Sequence, residues 1–245
     1  MQPRFSIVVP CRNEAENIGA LLDGIEAACA PLGPFECIVV DDGSTDATAA
    51  VVLERAARAG RWLRLLSHPA SGGQSAAIHS GVLAARGPVI AMLDGDGQNP
   101  PEELPRLLAP LLAADAPSDL GLVAGQRVGR RDTASKLVAS RAGNALRARL
   151  LRDGTRDSGC GLKAFRRDAF LALPFFNHQH RYLPALFQRD AWRIEHVDVS
   201  HRPRGAGRSN YTNWQRGLVG IPDLFGVAWL IRRRKAVRPV ERTPE

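Results

Sequence analysis

The 245-residue chain is poor in cysteine. Cys11, Cys29, Cys37 and Cys160 never fall into a C-x-x-C spacing. Neither a zinc knuckle nor a dithiol redox pair is therefore suggested, and a reduced, cytoplasmic protein is expected. No G-x-G-x-x-G follows the first strand-like run, and no G-x-x-x-x-G-K-[ST] occurs anywhere, so a nicotinamide dehydrogenase and a P-loop NTPase are set aside. The opening "MQPRFSIVVPCRNE" has too short an apolar run for a secretory signal. Long hydrophobic runs are missing as well. The best candidate, "LVGIPDLFGVAWLI" (218–231), contains Pro222 and Asp223, and as a helix it would cover about 21 Å of a hydrocarbon core of about 30 Å. It should not span. Acid is outnumbered, with 25 Asp and Glu against 33 Lys and Arg, a net charge of +8. The excess is concentrated in Arg127, Arg130, Arg131, Lys136, Arg141, Arg147, Arg149 and Arg152, opposed only by Asp132, and in "RRRK" (232–235). Such surfaces suit anionic lipid, phosphorylated substrates or nucleic acid, unless they are simply solvated helix faces.

What is present is a regular alternation. "FSIVV" (5–9), "FECIVV" (35–40), "LRLL" (63–66) and "PVIAML" (88–93) read as buried strands, separated by helical stretches at Ala15–Cys29, Ala47–Ala59 and Gln74–Ala85. Asn13, with Glu16 three residues on, is the expected cap of the first helix. This β-α-β pattern predicts an α/β fold with a mostly parallel sheet and helices on both faces. Further strands are expected at 119–125 and 192–200, an extended segment at 159–165, and a basic helix over 132–151. There are no repeats and no linker. The chain divides into a domain at 1–210, with a nucleotide-binding half to about 125 and an acceptor half beyond it. A C-terminal amphipathic helical segment at 211–234 and a disordered tail at 235–245 follow.

Ligands of parallel sheets gather where the strands end. Strand one runs into "PCRNE", strand two into "DDGSTD" and strand four into "DGDGQ", so three exits bring acids and amides to one edge. Asp94 and Asp96 repel each other unless a cation lies between them. Mg²⁺ or Mn²⁺ beside a nucleoside diphosphate would relieve the conflict, with Gln98 adding an amide oxygen and Gly95 allowing close backbone approach. Asp41 and Asp42 are candidates for base or ribose. Ser44 or Thr45 can cap the second helix, and a capped helix start is the plain reading of Ser44, Thr45 and Asp46 for part of this segment. A nucleic-acid-binding protein would explain the basic helix but not these acidic exits, which repel phosphates, so no nucleic acid partner is expected. The H-x-H of His178 and His180 lacks a third ligand nearby.

"SIVVPCRNEAENI", "IVVDDGSTDAT", "SGGQSAAIHSG" and "MLDGDGQNPPEEL", in this order, resemble the family 2 glycosyltransferases of GT-A fold. More narrowly, the chain looks like the dolichyl- or polyprenyl-phosphate sugar transferases over about residues 4–230. The resemblance implies a UDP- or GDP-sugar donor along the strand exits, contacted by Pro10, Arg12, Glu14, Asp42 and Asp94. It implies a metal held by Asp96 and Gln98, a backbone contact at Gly95, and an arginine near the donor at Arg127. In the back half "DSGCGLKAF" and "HRPRGAGRSN" match segments that supply basic side chains, here Lys163 and Arg204. The last segment usually ends Gly-x-Ser-Lys; here it is Gly207-Arg208-Ser209-Asn210, and Arg208 is the expected replacement for the lysine charge.

The implied chemistry is an inverting single displacement giving a lipid-linked sugar for cell-envelope glycans, at the cytoplasmic face of a membrane. A hydroxyl acceptor and an inactive nucleotide-sugar-binding protein are the alternatives. Asp157 is the base candidate. A polyprenyl phosphate has a second pKa near about 6 and arrives largely dianionic, so it needs cations more than a base. Peripheral contact with an anionic membrane through residues 218–235 is weighed against a packed C-terminal helix, and a homo-oligomer is left open.

Overall fold

The computed structural model describes residues 2–128, 147–202 and 213–233, with side chains in the last segment from residue 220. Seven strands form one sheet: β1 (Phe5–Cys11), β2 (Phe35–Asp41), β3 (Leu63–Ser67), β4 (Val89–Met92), β5 (Leu120–Arg127), β6 (Lys163–Arg166) and β7 (Arg193–Val199), in the spatial order β3-β2-β1-β4-β6-β5-β7. β6 runs antiparallel to both neighbours and the other pairings are parallel. The expected mixed α/β architecture is present.

The strands are apolar on both sides because both faces are covered. Phe5, Ile7 and Val9 of β1 with Cys37 and Val39 of β2 pack beneath α1 (Ile18–Cys29), α2 (Thr48–Ala59) and α4 (Leu104–Leu112). Val8, Ile38 and Val40, one residue out of phase, pack with α3 (Gln74–Ala84), α5 (Arg167–Leu171), α6 (Leu183–Arg189) and α7 (Asn213–Arg232). Each fully buried large side chain contributes about 1.5–3 kcal/mol. Trp62 stacks obliquely on Phe35 at 5.3 Å, a packing role.

The first two connections differ from expectation. α1 begins at Ile18, not Ala15, and Asn13 does not cap it. Asn13 sits at φ 57° with its side-chain oxygen accepting from the Thr45 amide at 2.8 Å. The amides of Asn13, Glu14 and Ala15 donate in turn to Ser44, Thr48 and Asp46. Residues that read locally as caps are used instead to stitch the β1 exit loop to the β2 exit loop. Of the three residues expected to cap α2, Asp46 accepts the Thr48 amide at 2.9 Å, while Ser44 and Thr45 bond to the β1 exit loop.

At the other end of the sheet Glu36 closes a buried knot. It accepts from Ser6 (2.8 Å), Arg64 (2.7 Å) and the Arg86 amide (2.6 Å). Of the basic run, Arg147 is paired with buried Asp153, which accounts for one of those charges internally. The remainder of the helix expected at 132–151, up to residue 146, lies outside the described residues, as does the tail.

Candidate functional site

The register brings the strand exits level. Cys11 of β1 stands opposite Asp41 of β2, which stands opposite Ser67 of β3. β4 is shorter, but the Leu93 and Gly95 amides continue the pairing by donating to the Val8 and Pro10 carbonyls, at 3.4 and 3.2 Å. Asp94 is thereby fixed at the junction of β1 and β4. A side chain at Gly95 would meet Cys11 Cβ at 2.7 Å, so only glycine permits this approach. Being antiparallel, β6 starts at the same edge where its neighbours end. Its entry segment, 157–162, therefore lies over the mouth and delivers Asp157 and Gly161, with Lys163 following as the first residue of β6. β5 delivers Arg127, and β7 runs out through Ser200 to His201.

Asp94 Oδ1 accepts from Gln74 Nε2 at 2.6 Å and Oδ2 from Asn99 Nδ2 at 3.2 Å. Both are neutral amides. Burial first, and then the charge of Asp96, push the Asp94 carboxyl above its ordinary range, against the pull of Lys163, Asn99 and Arg127. Asp96 accepts from the Gln98 amide at 3.2 Å. The Gln98 side-chain nitrogen lies 3.5 Å from His201 Nε2, and the Gln98 carbonyl accepts from the Arg202 amide.

The cations of the mouth are held by other partners. Lys163 is 2% exposed and donates to the Cys160 carbonyl. Burial lowers its pKa, and Cys160, Asp94 and Asp157 only partly oppose that. Arg127 grips Asp157 through two bonds, Nε to Oδ2 at 2.5 Å and Nη2 to Oδ1 at 2.9 Å. Buried Gln126 accepts from the Arg156 and Asp157 amides, fixing the turn that carries the carboxylate.

The β2 exit is turned inward. Asp42 accepts from His68 and Ser71 at 2.7 Å each and from the Gly72 and Gly73 amides at 2.8 and 2.9 Å. Burial raises its carboxyl, but these four donors prevail and hold it below the ordinary range. Its charge thus organises the loop leading into α3, the helix from which Gln74 reaches Asp94. Asp41 accepts from the Ser44 amide at 3.0 Å. Pro10 is buried, Arg12 is exposed, and Glu14 is half-buried and accepts from Asn17. Arg204 and Arg208 lie outside the described residues.

Gln74, Asn99, Gly161 and His201 had no place in the sequence-based site. His201 was legible by the rule already applied to β1, β2 and β4, since it follows the last buried residue of a strand, Val199. Gln74 and Asn99 carried no such signal. The described partners of His178 and His180 are side chains of neighbouring elements. His178 pairs with Asp223 at 3.0 Å and His180 Nδ1 lies 2.7 Å from Ser75 Oγ.

The profile of glycosyl transferase family 2 matches residues 6–173. The chain belongs to this family. It is 35% identical over 84% of its length to an undecaprenyl-phosphate 4-deoxy-4-formamido-L-arabinose transferase from Pectobacterium carotovorum subsp. carotovorum, of which it spans 62%. It is 33% identical over 93% of its length to a dodecaprenyl-phosphate galacturonate synthase from Rhizobium johnstonii, of which it spans 67%. Its fold, the GT-A fold, is shared by glucosyl-3-phosphoglycerate synthase from Mycobacterium tuberculosis. That enzyme was crystallised with Mn²⁺, uridine diphosphate and phosphoglyceric acid; the TM-score is 0.68 at 24% identity, over 92% of this chain and 78% of that one.

The residues of this family 2 mouth fit a hard divalent cation. Among the described residues no three His, Cys, Asp or Glu side chains gather into a complete metal centre. A Mg²⁺ or Mn²⁺ site does not need one, because such ions keep waters and take phosphate oxygens from the substrate. Asp94, Asp96 and Gln98 carry oxygens of the kind such an ion takes, and a cation there would offset the burial and the Asp96 repulsion that raise the Asp94 carboxyl.

Proposed function

We propose that this family 2 protein is a metal-dependent, inverting glycosyltransferase that moves a sugar from a UDP- or GDP-sugar to a polyprenyl phosphate. One observation carries the reading. Asp94, fixed at the β1/β4 junction next to Asp96 and held above its ordinary range by burial and then by the Asp96 charge, lies beside a buried lysine and an arginine, in a chain whose relatives are named for polyprenyl-phosphate acceptors.

In the reaction the bond between the anomeric carbon and the diphosphate oxygen breaks, the electron pair leaves with the diphosphate, and an acceptor phosphate oxygen bonds to that carbon. A cation bound by Asp94, Asp96 and Gln98 would act as a Lewis acid toward the departing diphosphate. Lys163 and Arg127 add fixed positive charge where negative charge develops, without reorganising during the step. Gln74 and Asn99 orient Asp94, and Gly161 leaves room for its carboxylate. Asp157 keeps Arg127 in place, so its first role in this reading is positional. Arg204 and Arg208 are proposed to engage the donor. Four unpaired cysteines, all buried, suit a reducing compartment and hence the cytoplasmic side of a membrane.

The test is incubation with Mn²⁺ or Mg²⁺, a polyprenyl phosphate and a panel of UDP- and GDP-sugars, followed by analysis of the lipid fraction. A metal-dependent lipid-linked sugar is expected from one donor. Nucleotide-sugar binding with no product from any of them would end the reading.

A further inference from the structure

Among the described residues, a large apolar surface not absorbed by the site lies on α7. Ile221, Phe225 and Trp229 are 52, 57 and 58% exposed, although each is large and hydrophobic. Spaced four residues apart, they fall within about 80° of arc on a helix of 3.6 residues per turn. Leu224 and Val227 of the same helix are buried in the core cluster that α6 shares, on a different face. The exposed stripe is therefore additional to the packing face. Arg232 and Arg233, both exposed, stand at its end, and the Arg233 guanidinium lies 5.8 Å from the Trp229 ring centre. The one acid on this stretch, Asp223, is paired with His178.

We propose that this face of α7 is a docking surface for an anionic lipid bilayer, lying in the interface with Ile221, Phe225 and Trp229 among the acyl boundary and Arg232 and Arg233 at the headgroups. The pairing of an apolar stripe with a cationic end, and a net charge of +8, fits lipid better than a second copy of this basic chain. Insertion across the bilayer is not offered, because no helix among the described residues is long and apolar enough to cross one. α7 is also fastened to the body along its length. Tyr182 donates to the Gly220 carbonyl at 3.1 Å, His178 meets Asp223, and Arg189 donates to the Leu230 carbonyl at 2.9 Å. The same segment carries His180, bonded to Ser75 beside the Gln74 that holds Asp94. Docking through α7 would thus set the orientation of the mouth relative to the membrane.

The test is sedimentation of the full chain with vesicles of phosphatidylcholine alone or with added phosphatidylglycerol, without donor or metal. Binding should rise with phosphatidylglycerol and fall with salt. Ile221→Ser with Phe225→Ser and Trp229→Ser should weaken binding at least about tenfold, and Arg232→Gln with Arg233→Gln about tenfold toward the anionic vesicles only. Unchanged far-ultraviolet dichroism and thermal unfolding would show that both variants fold. The proposal is overturned if the wild-type protein ignores vesicles at low salt, or if the triple variant binds as well as wild type. A dimer that the triple substitution dissolves, with no vesicle binding, would also overturn it. No sugar transfer is measured, so the outcome is independent of the proposed reaction.

Discussion

Glu36 and Asp94 are both carboxylates at the ends of sheet strands, and the protein treats them in opposite ways. Burial raises both. At Glu36 the Arg86 amide, the Arg64 guanidinium and the Ser6 hydroxyl prevail, and its carboxyl lies below the ordinary 4.5. At Asp94 the hydrogen-bond partners are two amides, Asp96 adds repulsion, and the carboxyl lies above the ordinary 3.8. The nearby cations do not close the account: Lys163 is bonded to a carbonyl and Arg127 to Asp157. Among the described residues, the carboxylate at one end of the sheet is held below its ordinary range by its own donors. The one at the other end is left above it, as the proposed cation and diphosphate site requires.

The contrast breaks most sharply at the mouth. Asp96→Ala should lower transfer by at least about a thousandfold by removing a metal oxygen, while leaving the melting temperature nearly unchanged. Chelation should reproduce the loss and added Mn²⁺ or Mg²⁺ should reverse it in the wild-type protein. Steady-state rates beside a thermal scan check both halves of the expectation.

Glu36→Ala should do the reverse, costing about 3 kcal/mol of stability with little change in rate per folded molecule, because Arg64, Ser6 and the Arg86 amide lose their shared acceptor. The pH dependence has a definite sign. A carboxyl lowered in the folded state stabilises fully above its unfolded value, and that contribution is lost as pH falls through the lowered one. Urea unfolding from pH 7 downward should show the wild type losing stability below about pH 4.5, and Glu36→Gln losing less over the same interval.

This difference also explains what the sequence could disclose. The sheet was legible because β1, β2 and β4 are short apolar runs ending in turn residues, and Asp94 and Asp96 because they interrupt such a run. Asn13 was misread because its local spacing matches a cap while its partner, Thr45, belongs to another loop. Gln74 and Asn99 lay inside motif segments without an assigned role for the same reason, since a neutral amide acquires meaning only from the carboxylate that the fold sets beside it. The antiparallel sense of β6 was equally hidden, yet it alone brings residues 157–163 over the mouth.

Gly161 tests that crossing. A methyl group there would lie 2.6 Å from Asn99 Nδ2 and closer still to Asp94 Oδ2. Gly161→Ala should displace the 159–162 segment or the Asp94 carboxylate, lowering turnover about a hundredfold. A rate within twofold of wild type would mean that the crossing segment does not control the geometry of the mouth.

The smallest effect should come from Asp157→Asn, and it sharpens the comparison most. The substituted amide would still offer Arg127 one oxygen but would lack the charge that holds the guanidinium by two bonds. If the acceptor is a phosphate, already anionic near pH 7, no proton need be removed. The variant should then lose about tenfold or less, chiefly through a misplaced Arg127. If the acceptor is a hydroxyl, the same substitution deletes the base, and a loss of several orders of magnitude should appear with the fold intact. Measuring single-turnover rates for this one variant therefore separates an Asp157 that anchors a cation from an Asp157 that takes a proton.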